Sequence, residues 1–322
     1  MFILTIFHLS SSQFQTQNLN FTKKMFHFPS LSTLEWIGIL TAILPATYIL
    51  GRYLPGATAF LTGSKLYTPT NFHYDETTIF DHTVFTWGTD YFLAVIMSVL
   101  GLRILAVPGN VNNSVLRIAS SLLMASFAVS TLAGAICHQF LFGSLNTLEF
   151  RILWNICVGS VAFAGGLLGI CASEIAKLQY RSKNSESYFM IPIPPIYFWL
   201  CWSLFFTTVV CSGLFSMKNP ACDIFLTGVT QAIPTFYLVV VLISQKNWDI
   251  LVDKGTIIFL ILGLLSNALL LPGYDYLNYI ELEDGIRNLI LHSVLCFSWS
   301  LQGISFKKFV TSARVKAPQF RD

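Results

Sequence analysis

Seven long apolar stretches, separated by short polar segments, occupy this chain from Asp90 to Phe306. Val115–Phe142 is typical: Arg117 lies near its start, His138 near its end, and no residue between them carries a formal charge. A helix of about 20 such residues crosses a hydrocarbon core ~30 Å thick. Only 11% of the 322 residues are charged, against about 25% in a soluble domain. The chain therefore reads as all-α, a polytopic transmembrane helix bundle whose principal partner is the lipid bilayer.

About eight spans are expected, at roughly 35–52, 90–108, 115–142, 149–173, 195–217, 222–244, 252–272 and 288–306. The first is the weakest, because Glu35 opens it and Pro45 interrupts it. The expected organisation is a disordered or interfacial leader over 1–34, a first span with a long loop over 35–89, a seven-helix core over 90–306 and a basic tail over 307–322. The distribution of Lys and Arg follows this alternation. One side collects fourteen of the 19, including Arg103, Arg117, Lys177, Lys254, Lys307 and Arg314; the other holds Arg52, Lys65, Arg151, Lys218 and Arg287. The positive-inside rule assigns the fourteen, and with them both termini, to the cytoplasm.

The net charge of +3 comes without a dense basic run, which argues against a nucleic-acid partner. The seven cysteines form no CxxC pair. No HExxH or GxSxG occurs, and Gly165–Gly166 lies mid-span without the strand–turn–helix setting of a phosphate loop. With Gly159 and Gly169, that pair is expected to let a neighbouring helix approach closely.

Ionisable residues within spans are costly and face the bundle interior or an aqueous cavity, which makes each a functional candidate. Asp90 opens the second span, His138 ends the third, Glu149 opens the fourth and His292 lies one turn into the eighth. Because chain direction alternates, all four approach one depth near the non-cytoplasmic boundary. Asp90 and Glu149 also suit helix first turns, where negative charge is favoured. Cys296 follows His292 by four residues, so both project from one helical face. Imidazole and thiolate are ordinary zinc ligands, and three ligands leave a position for water. His138, His292 and Cys296 are accordingly the expected metal ligands, with zinc the expected cofactor. Glu149 and Asp90 are the expected catalytic carboxylates, as proton acceptor or as orienter of a ligating histidine.

This layout resembles the alkaline ceramidase and progestin/adipoQ receptor superfamily, with His138 ending core helix two, Glu149 opening core helix three, and His292 and Cys296 in core helix seven. The resemblance implies a zinc-dependent hydrolase acting on a lipid amide. The chain departs from the pattern in having Gly134 where serine is expected, Glu149 for aspartate, and Cys296 for the second histidine. Thr89–Asp90 and Asn288–His292 also resemble pairs in uncharacterised polytopic membrane proteins, a likeness that implies no activity. A receptor, sensor or small-solute carrier on the same seven-helix core is the alternative expectation.

Overall fold

A computed structural model describes residues 31–62, 81–144, 147–181, 188, 191–212, 226–245, 251–270, 273, 276–277 and 280–315. Among them there is no β-strand. The long helices are α1 (Thr33–Thr62), α2 (Val84–Leu105), α3 (Ser114–Phe140), α4 (Leu148–Arg181), α5 (Ile196–Ser212), α6 (Ala232–Ile243), α7 (Lys254–Ala268) and α8 (Asp284–Val315). Six have the length and apolarity to cross a bilayer, counting Leu226–Ile243 as one; α5 and α7 are apolar but shorter. The chain is an integral, multi-pass membrane protein built as a helical bundle.

The helix faces show why the bundle belongs in lipid. On α2 the buried side is Thr86, Asp90, Leu93, Met97, Gly101 and Ile104, while Phe92, Val95, Val99 and Leu102 are exposed. Both stripes follow helical spacing. A helix of a soluble protein would carry charge on the outward stripe; here the outward stripe is apolar and suits acyl chains. α2 packs on α3, α3 on α4, and α4 on α5 and α6. The chain then returns, with α7 packed on α8 and α8 on α2 and α3. Phe127 of α3 and Trp299 of α8 stack across that return, with centroids 4.0 Å apart. α1 meets the bundle mainly at α5, where Trp36 contacts Phe198 edge-on at 5.4 Å.

Helix ends differ from the expected spans for local reasons. Glu35 does not weaken α1 but starts it: Ser32 and Glu35 form a capping box, with Ser32 N donating to Glu35 Oε2 (2.6 Å) and Glu35 N to Ser32 Oγ (3.3 Å). α2 begins at Val84, not residue 90, and α4 continues to Arg181. α8 runs to Val315, through the start of the expected tail, because Phe309, Val310 and Ala313 are buried while Lys307 and Lys308 face outward. The leader up to Ser30, most of the long loop (63–80) and the end of the tail (316–322) lie outside the described residues.

The expected close approach at the α4 glycines is present. A side chain at Gly169 would overlap the indole of Trp199, and one at Gly166 would overlap Ser203 and the Trp199 carbonyl. Gly165 abuts the Thr230 carbonyl, 3.0 Å from where a Cβ would stand. That carbonyl sits at a break. The helical stretch from Leu226 is interrupted at Gln231 and resumes as α6. Pro234 has no N–H for the carbonyl four residues back, Thr230. Trp202 of α5 donates its indole N–H to that oxygen instead, at 3.1 Å. A neighbouring helix thus satisfies the freed backbone group, the condition under which proline persists in a membrane helix.

Candidate functional site

The first residues of α2 and the turn before them bring three helices together. Asp81 begins the assembly. Its Oδ1 accepts the Thr83 N–H (2.9 Å), folding the turn ahead of α2. Its Oδ2 accepts from the Thr86 hydroxyl and from Asn288 Nδ2 of α8 (2.7 Å). Its backbone carbonyl receives His138 Nδ1, from the end of α3, at 2.7 Å. Gly285 lets the start of α8 lie against this turn, since a Cβ there would come within 2.8 Å of Thr83 Oγ1. Burial works to raise the Asp81 carboxyl, but the hydrogen bonds from Thr86, Thr83 and Asn288 together hold it below its ordinary value.

Two turns into α2, Thr89 and Asp90 face His292. Thr89 Oγ1 lies 2.7 Å from His292 Nδ1. The same hydroxyl is 2.6 Å from the Phe85 carbonyl and 2.9 Å from the Thr86 carbonyl. Its one hydrogen goes to those carbonyls, so its oxygen accepts from His292, and Nδ1 carries the imidazole hydrogen. At His138 the partner is a carbonyl, which only accepts, so Nδ1 carries the hydrogen there too. In its neutral form each ring is suited by these contacts to carry its hydrogen on Nδ1, and the Thr86 backbone is a further partner of the His292 ring.

Asp90 is 5% exposed. Its Oδ1 is 3.5 Å from His292 Nδ1, too long for a good hydrogen bond. Its Oδ2 faces Gly134 of α3, 3.3 Å from where a Cβ would stand, and Cys157 Sγ of α4 lies 3.5 Å from the same point. Cys157 is in turn 3.5 Å from Ser130 Oγ. Nearby, Tyr91 donates to Gln139 Oε1 (2.7 Å), tying α2 to α3 again, and the His138 ring meets Trp154 edge-on at 6.4 Å.

The site residues expected from sequence divide into two groups. Asp90, His138 and His292 do gather around the start of α2. Glu149 is exposed on the first turn of α4 rather than buried beside them. Cys296 is one turn beyond His292, with its thiol paired to Ser300. Among the described residues no group of three or more His, Cys, Asp or Glu is placed to hold a metal ion. His292 is turned to Thr89 and His138 to the Asp81 carbonyl, while Cys296 faces Ser300.

Sequence reasoning did not select Asp81 or Thr86 as site residues. The available signal was Asn288, one turn before His292 on the same helix face, which requires an acceptor on a neighbouring element. Family models, curated proteins and solved structures yield no match to this chain.

Proposed function

We propose that this protein is a non-hydrolytic receptor or carrier that binds a small polar solute at the Asp90–His292 cluster. The observation carrying this reading is the Asp90 carboxyl, 5% exposed inside the bundle, with His292 Nδ1 at 3.5 Å as its ion-pair contact. Intramembrane ionisable residues are costly and mark substrate or ion pathways. The break at Gln231 adds support, because discontinuous helices are a recurring feature of carriers.

The second reading is the zinc-dependent lipid amide hydrolase implied by the superfamily resemblance. One observation favours it: both histidines have Nδ1 held by protein oxygens, which puts the ligating lone pair on Nε2, the arrangement common around metals. It lacks a third ligand, since Cys296 and Glu149 stand apart from the histidines, and no step through a metal is derived. The two readings separate on zinc per mole of detergent-purified protein. The receptor or carrier reading expects substoichiometric zinc, unchanged in His292→Ala. Near-stoichiometric zinc in the wild type that His292→Ala removes would overturn it in favour of the hydrolase.

A further inference from the structure

We infer that the outer side of the seam between α2 and α8 holds the headgroup of a phospholipid bearing a second phosphate, with Arg103, Lys307 and Arg314 as its cationic partners. The two helices run parallel and in register. Thr89 meets His292; eleven residues on in each helix Leu100 abuts Gly303, where a Cβ would stand 2.9 Å from the Leu100 side chain. Arg103 follows Leu100 by three residues and Lys307 follows Gly303 by four, so both share the side of that contact, one turn beyond it. Arg314 follows Lys307 by seven residues and lies on the same side again. All three are exposed. Lys308 instead turns to α7, where its Nζ is 3.3 Å from Asp253 Oδ2. Among the described residues no ion pair involves Arg103, Lys307 or Arg314.

The apolar outer stripes give way to charge at this level. Val99 and Leu102 on α2, with Phe297 and Ile304 on α8, are exposed. Beyond Ile304 the exposed positions of α8 are Lys307, Lys308, Thr311 and Arg314. A lipid lying along the seam sets its acyl chains on the apolar residues and its glycerol phosphate between Arg103 and Lys307. Arg314 stands about 10 Å further along the axis at 1.5 Å per residue, away from the hydrocarbon. A phosphodiester supplies one negative charge and leaves Arg314 without a counter-charge. A monoester phosphate on the outer part of the headgroup adds about −1.5 to −2 and meets the planar fork that suits arginine to phosphate. The end of α8 is pinned in this place. Asn110 Nδ2 donates to the Arg314 carbonyl and Asn113 Nδ2 to the Val310 carbonyl, both at 3.2 Å, which ties α8 to the turn after α2. Basic residues gathered between membrane helices are a recurring setting for such headgroups.

The test titrates the full chain in phosphatidylcholine nanodiscs with a fluorescent short-chain phosphatidylinositol 4-phosphate and reads binding by anisotropy. The wild type should bind it saturably. Unlabelled short-chain phosphatidylserine, with a single net charge, should displace it only at roughly ten times the concentration of unlabelled phosphatidylinositol 4-phosphate, or more. Arg103→Gln, Lys307→Gln and Arg314→Gln should each weaken binding roughly fivefold, and the triple variant roughly a hundredfold. Lys254→Gln is the control. It removes one exposed charge from the same end of the bundle on α7, where Ser305 of α8 bonds the Thr256 carbonyl, and should stay within about twofold. Each substituted side chain is exposed, so the melting temperature should hold in every variant. Equal displacement by phosphatidylserine or by inorganic phosphate, equal weakening by Lys254→Gln, an undiminished triple variant, or no saturable binding would overturn the assignment. Binding at this seam is independent of the Asp90–His292 cluster, so the result stands whichever reading of that cluster holds.

Discussion

Replacing Trp202 by Phe leaves an aromatic ring in place but removes the N–H that bonds the Thr230 carbonyl at 3.1 Å. The helix offers no substitute donor, because the residue four positions on is Pro234. A buried carbonyl left without a partner costs about 1–3 kcal/mol, and the smaller ring adds a cavity cost on the order of 1 kcal/mol at about 24 cal/mol per Å³. Trp202→Phe should therefore destabilise the bundle by about 2–3 kcal/mol. In a Pro234→Ala background the new backbone N–H can bond Thr230 directly, so the same substitution should cost only the cavity part. The coupling between the two sites should be about 1–1.7 kcal/mol, the upper part of the range for hydrogen bonds between membrane helices. The assay is reversible unfolding in mixed micelles by added dodecyl sulfate, followed by far-ultraviolet circular dichroism on all four proteins of the cycle. Equal costs of Trp202→Phe in the wild-type and Pro234→Ala backgrounds would refute the claim that the indole compensates the proline.

Further expectations follow from other contacts. Gly169→Ala drives a methyl into the Trp199 indole and should cost about 1–3 kcal/mol by overpacking, whereas Gly143→Ala, with nothing within 4 Å, should stay within about 0.5 kcal/mol; micelle unfolding compares them. The Asp81 carboxyl is held below its ordinary value. Its contribution is therefore present above the unfolded value of about 3.9 and is lost as pH falls through the lower folded value. The melting temperature of the wild type should drop on that acid limb, and Asp81→Asn should flatten it. The positive-inside expectation is that the Asn112-Asn113-Ser114 sequon faces the cytoplasm, so Asn112 should carry no glycan in a eukaryotic host. A glycosidase-sensitive mass shift abolished by Asn112→Gln would reverse the orientation.

The helices were legible because bilayer thickness imposes a length on any apolar stretch that crosses it, and that length is written in the order of residues. The common depth of Asp90, His138 and His292 was legible for the same reason: alternating direction puts their helix ends at one level. The glycines of α4 announced a close neighbour. None of these readings required knowing which helices touch. Pairwise chemistry did require it. The four-residue spacing of His292 and Cys296 puts both on one face, but nothing in the order of residues says that Cys296 meets Ser300 or that His138 is held at the α3 end by Asp81. Glu149 shares the depth of the site yet is exposed, because depth leaves the rotation of α4 unspecified.

Solvent, helical class and the level of the polar residues follow from the order of residues alone, since each depends only on local hydropathy and on counting along the chain. Only packing decided that Asp81 joins α2, α3 and α8, that Thr89 meets His292, that Trp202 completes the backbone at Thr230 and that Gly134 lets Asp90 lie close against α3. These are contacts between residues 28 to 207 positions apart. They depend on helix rotation and packing, which minimise a sum over many neighbours at once and leave no periodic trace in the sequence.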